Sequence, residues 1–171
     1  MTHGMARTGG GATVAPVAVR IPPWKTSPAR AELLAEYVRV DALLSGFSCE
    51  ASTECCRFGV TGREPYVTPI ELAEVEHAIA ARGVPVSKAR SPRSLAIVDD
   101  ERRCPLLSAE GRCSIYASRP LGCRTFFCDR VEGPGKLPRG EVNAVARRIA
   151  DLASKFAPRD PSSRPLTRAL R

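Results

Sequence analysis

Cys104-Pro105-Leu106-Leu107, then Cys113-Ser114-Ile115-Tyr116, then Arg119-Pro120-Leu121-Gly122-Cys123-Arg124 and a closing Cys128 form the stretch on which the fold turns. An earlier and tighter block holds Cys49 and the adjacent pair Cys55-Cys56. A cysteine buried for packing alone stands singly, at helical or strand spacing. These seven, interleaved with Gly, Pro and Arg, read instead as ligands. Thiolates suit soft and borderline cations such as zinc, iron or copper(I), and a bound ion can fix loops that own little core. The candidate metal residues are therefore Cys49, Cys55, Cys56, Cys104, Cys113, Cys123 and Cys128. The expected fold class is mainly α with irregular loops and a short β-hairpin, a small metal-stapled single domain.

Composition agrees with a lean core. Aromatics are 5% of 171 residues, with 13 Gly and 15 Pro. A chain with many turns and few large apolar side chains gains from a staple. The first twenty residues hold no uninterrupted apolar run of signal-peptide length, and no stretch reaches the roughly 20 apolar residues of a membrane span. The expected location is cytoplasmic, where thiols stay reduced and a cysteine cluster binds metal rather than forming disulfides. The odd cysteine count also speaks against a closed disulfide framework.

The formal charge of +8 sits in the ends of the chain. Residues 1–31 carry four basic residues and no acid, and residues 139–171 carry eight basic residues and three acids. The stretch between them, 32–138, is close to neutral. Such tails can touch acidic partners, but no aromatics are interleaved to stack on bases, so nucleic acid is disfavoured.

Three helices are legible. Ser27-Pro28 starts one that runs to about Ser45 and stops at Gly46, with Leu33, Tyr37, Val40 and Leu44 as its apolar stripe. Thr68-Pro69-Ile70-Glu71 is a capping box opening a second helix, 69–82, ended by Gly83. The third spans about Gly140 to Phe156, with Val142, Val145, Ile149, Leu152 and Phe156 on one side. Ser94 to Val98 is the best strand candidate, and Ser108-Ala109-Glu110-Gly111 turns a short hairpin. A tight helical turn opens near Pro120. The expected organisation is a disordered arm over 1–26, a cysteine-cluster domain over 27–157 and a basic tail over 158–171.

The block spacings match neither zinc-finger knuckles nor plant-type ferredoxins. The combination of Cys49, Cys55 and Cys56, a following acidic helix, and Cys-x-Ile-Tyr-x-x-Arg-Pro-x-x-Cys-Arg over Cys113 to Arg124 resembles the YkgJ-like cysteine-cluster family. The resemblance covers roughly residues 47–130. It implies a cytoplasmic bacterial protein holding zinc or iron, with an iron–sulfur centre among the options. The family has an enzymatic branch that includes a flagellin lysine N-methylase. Ser52 stands where the second cysteine of the CxxCxxCC pattern belongs, so the chain is one cysteine short of the family set. One site or two, full or open, are all compatible with that set.

Other residues were weighed against plainer roles. Four thiolates on a divalent cation leave a net negative shell, and Arg57, Arg119 and Arg124 stand close enough in sequence to donate hydrogen bonds to sulfur. Cys55 and Cys56 are expected to diverge, only one serving the main site. Ile115 and Tyr116 are expected to pack the core. His77, between Glu74 and Glu76 on a helix, reads as solvated. No Ser/His/Asp set, phosphate-cradling Gly loop or S-adenosylmethionine motif is present. The leading reading is a non-enzymatic metal-binding protein. The alternative is an iron-dependent or iron–sulfur enzyme, or an accessory of a protein-modification enzyme, in which Ser52 leaves a coordination position open. The expected partners are the metal ion and a protein still to be identified, with no membrane.

Overall fold

Pro28, with its fixed φ and no N–H to leave unpaired, occupies the first turn of helix α1 (Pro28–Leu43). The computed structural model describes residues 23–48, 53–83, 102–125 and 132–171. Within them lie six α-helices, three 3-10 turns and one two-stranded ladder, a mainly helical chain as its composition and periodicity predict. The long helices are α1, α3 (Pro69–Arg82) and α5 (Arg139–Phe156). Helices α2 (Phe58–Thr61), α4 (Leu121–Arg124) and α6 (Leu166–Ala169) are single turns.

Helix α3 begins and ends where local chemistry dictates. The Thr68 N–H and hydroxyl both donate to the Glu71 carboxylate, at 2.9 and 2.8 Å. At the other end Gly83 takes φ 60°, a left-handed cap that a Cβ would penalise. The helix then separates two cores. Its Ile70 joins Leu33, Tyr37 and Val40 of α1 and Val145, Ile149 and Ala153 of α5. Its Val75 and Ala78 join Phe58, Val67, Cys104, Leu106, Ile115 and Leu166. Burying each large aliphatic side chain contributes about 1.5–3 kcal/mol.

The expected hairpin is present in reduced form. Leu107 and Cys113 form a single antiparallel bridge, with the Ser108 N–H on the Arg112 carbonyl at 2.8 Å and Gly111 at φ 74° in the turn. The ladder is elsewhere: β1 (Tyr66–Val67) pairs antiparallel with β2 (Arg164–Pro165). The segment after 157 thus contains β2 and α6, and Leu166 is 1% exposed in the second core. The strand expected at 94–98, Ser52, and most of the arm over 1–26 lie outside the described residues. Trp24, near the end of that arm, packs its ring edge-on against Phe156. Among the described residues no helix is long and apolar enough to cross a membrane.

Candidate metal centre

Backbone pairing joins the two cysteine blocks. The Cys104 N–H donates to the Cys56 carbonyl at 2.7 Å, Arg57 bridges Arg103, and the Gly59 N–H reaches the Arg102 carbonyl. A second stitch ties Ser48 to Glu132 in both directions, at 2.9 and 3.1 Å. Chain separated by some fifty residues between Cys56 and Cys104 is thus held edge to edge.

Five thiols lie in the described residues, all free: Cys55, Cys56, Cys104, Cys113 and Cys123. Cys104 is buried and the other four are partly covered. Cys55 and Cys56 occupy a 3-10 turn (Glu54–Cys56) entered through Thr53 at φ 56°, a left-handed conformation that a branched side chain adopts at a cost of about 1–3 kcal/mol. Their Sγ atoms are 4.0 Å apart. The expected divergence of this pair does not occur, because the tight turn sets the two side chains together. Cys49 and Cys128 lie outside the described residues.

The thiols feel one another. The Cys56 thiol is pushed up to about 12, first by its hydrogen bond with Cys104; the bond with Cys55 opposes this, and burial adds to it. Cys55 is raised by its hydrogen bond with Cys56 and then by burial. Burial raises Cys123, and the fields of Cys56 and Cys113 add to it. Burial also raises Cys113, against the opposing influence of Arg119 and Arg82. Protonated neutral thiols are what a metal-free cluster should hold, and a divalent cation reverses that preference by taking the thiolates and releasing the protons. Among the described residues no three His, Cys, Asp or Glu side chains surround one point closely enough to hold an ion. The donor set nevertheless fits one. Zinc–sulfur bonds of about 2.3 Å in a tetrahedron place neighbouring sulfurs about 3.8 Å apart, near the Cys55–Cys56 separation.

Two buried carboxylates on α3 hold the loop between Cys113 and Cys123. Glu74, 1% exposed, accepts hydrogen bonds from Trp24 Nε1 at 3.0 Å, from Arg30 at 2.7 and 3.1 Å and from the Ser118 hydroxyl at 3.0 Å. Burial alone would raise its pKa, but these donors outweigh it and hold Glu74 below the usual carboxylate range. Glu71, one turn earlier, accepts the Leu121 N–H at 2.7 Å, where α4 begins, and a long hydrogen bond from the Tyr37 hydroxyl. Neither role was visible in the sequence, where Glu71 closes a capping box and Glu74 neighbours a histidine. Their partners in that loop, Leu121 and Ser118, lie 50 and 44 residues away.

The arginines divide. Arg124 does not serve sulfur: its Nε donates to the Arg119 carbonyl at 2.7 Å, its Nη1 pairs with Asp41 and its Nη2 donates to the Ala117 carbonyl. Its guanidinium carbon also lies 4.2 Å from the centre of the Tyr37 ring. Two of these hydrogen bonds shape the 117–119 loop and the third ties it to α1. Arg119 stacks 3.6 Å over Tyr116 and opposes the raised pKa values of Cys55, Cys113 and Cys123. Arg57 has a buried Nε that makes no hydrogen bond. Ile115 packs the core as expected, but Tyr116 is 61% exposed, since adjacent residues in this turn cannot both face inward.

The family model described as CxxCxxCC, "Putative zinc- or iron-chelating domain", matches residues 48–139, just over half of the chain. The chain belongs to that family. No curated protein and no solved structure matches it.

Proposed function

We propose that this protein binds zinc or iron through thiolates drawn from both cysteine blocks, and that the ion staples a fold whose loops are otherwise thinly packed. Membership in a zinc- or iron-chelating family supports metal binding. The observation that supports the thiolate reading is the Cys104–Cys56 backbone bond, with the Cys56 thiol in contact with those of Cys55 and Cys104. Cys49, Cys55, Cys56, Cys104, Cys113, Cys123 and Cys128 are the proposed ligands; the Cys56 thiol's contacts with Cys55 and Cys104 support those three, and sequence spacing supports the rest. An ion there would supply charge that stabilises thiolate over thiol. The buried, unpartnered Arg57 N–H and the nearby Arg119 are suited to offset the negative shell that four thiolates leave. Cytoplasmic residence belongs to the same reading, since reduced thiols require it.

The test is elemental analysis by mass spectrometry on protein purified without oxygen, alongside Cys56→Ser and Cys104→Ser. Wild type should carry zinc or iron near whole-number stoichiometry, and each variant should lose at least half of it. Wild type free of both metals after anaerobic preparation would defeat the proposal.

A further inference from the structure

We infer that a cavity beside α4 binds a small organic anion, a carboxylate or phosphate attached to a short aliphatic group. The inference is independent of the metal reading and rests on described residues alone. The cavity has a volume of about 480 Å³, within the range of small-molecule sites, which are largely apolar with a few convergent polar groups. Its apolar wall is Leu44, Leu137 and Val142. Two guanidinium groups reach it from separate parts of the chain, Arg63 after α2 and Arg139 at the start of α5, with Asn143 beside them. Among the described residues no carboxylate lines it.

The charge arrangement points to the ligand. Arg30, Arg124, Arg148 and Arg164 each pair with an acidic side chain. Among the described residues, Arg63 and Arg139 have no such partner, and their guanidinium groups make no hydrogen bond. Two like charges sharing an apolar-walled recess repel each other, and an oxyanion accepting from both relieves that repulsion through charge-assisted hydrogen bonds. The adjoining aliphatic wall would take an apolar tail of a few carbons. A bare inorganic ion would leave that wall unused. Gly122 of α4 and Thr125, the residue that caps its C-terminus, line the cavity, with Cys123 between them in sequence, so a bound anion would contact the helix that carries that thiol.

The experiment is a titration of the 171-residue chain, as purified, followed by amide shifts in nitrogen–proton correlation spectra. Hexanoate, hexyl phosphate and inorganic phosphate are the three probes. At least one of the two hexyl probes should shift the Gly122, Thr125 and Asn143 amides saturably, at least tenfold more tightly than inorganic phosphate. Arg63→Gln and Arg139→Gln, both exposed positions, should each weaken that binding about tenfold, whereas Arg112→Gln, exposed elsewhere, should not. Non-saturating shifts, inorganic phosphate binding as tightly as hexyl phosphate, or equal weakening by Arg112→Gln would each overturn the inference. Metal content measured on the same samples keeps this outcome separate from that of the metal proposal.

Discussion

Glu74 accepts more long-range hydrogen bonds than any other side chain among the described residues. A carboxylate that is 1% exposed loses its water, and only full replacement of that water by donors makes the ionised form tolerable. Trp24, Arg30 and Ser118 supply them. Removing the charge leaves the Arg30 guanidinium, itself partly covered, without its partner. Glu74→Gln should therefore cost about 2–4 kcal/mol, read as a lower denaturant midpoint at unchanged slope. The pH dependence has a definite sign. The folded carboxyl lies below its ordinary value, so the unfolded chain binds protons first as pH falls. The stabilisation is complete above the unfolded value of about 4.3 and is lost as pH drops through the folded value. Melting temperatures between pH 6 and pH 3 should fall more steeply in wild type than in Glu74→Gln. A second residue-scale expectation concerns Arg124, whose fork serves two carbonyls, a carboxylate and an aromatic face. Lysine has no such fork. Arg124→Lys should destabilise the loop and lower metal retention against a competing chelator, and unchanged retention would show that the loop tolerates the loss.

At the scale of elements, what could be read in the sequence was what is decided locally. The bounds of α3 follow from Thr68, Pro69, Glu71 and Gly83, all within or beside the helix. The buried stripe Leu33, Tyr37, Val40, Leu44 follows from helical period. The second duties of Glu71 and Glu74, and the carbonyl partners of Arg124, were not readable. A carboxylate on a helix looks the same whether its far side meets water or a loop fifty residues on. An arginine beside a cysteine suits sulfur and carbonyl oxygen equally. Glu36, 8% exposed and paired with Arg148 across α1 and α5, was hidden for the same reason. The basic segment after 157 reads in sequence as a tail, because what anchors it is distant: β2 pairs with β1, Thr167 donates to Glu64, and Leu166 enters the second core. Leu166 is 1% exposed among Phe58, Val67 and Ile115. Leu166→Ala should destabilise by about 2–5 kcal/mol, measurable in chemical unfolding. A change below 0.5 kcal/mol would mean that α6 is dispensable.

For the whole molecule the relevant fact is that two cores are joined through one helix. The first core is carried by α1, α3 and α5. The second contains Cys104 and is flanked by Cys56 and Cys113, so an ion bound there would be an integral part of its packing. Trp24, the chain's single tryptophan, is connected to the ligand loop through Glu74 and Ser118. Stripping the metal with a chelator should alter its fluorescence and lower the unfolding temperature by several degrees. Readdition of the ion should restore both. Ser52→Cys, which supplies the cysteine that the family pattern has at that position, should raise metal stoichiometry or affinity.

The most direct measurement is X-ray absorption at the metal edge on anaerobically purified protein. The account predicts a first shell dominated by sulfur at about 2.3 Å, reduced in Cys56→Ser and Cys104→Ser. A shell of nitrogen and oxygen alone, unaffected by those substitutions, would contradict it.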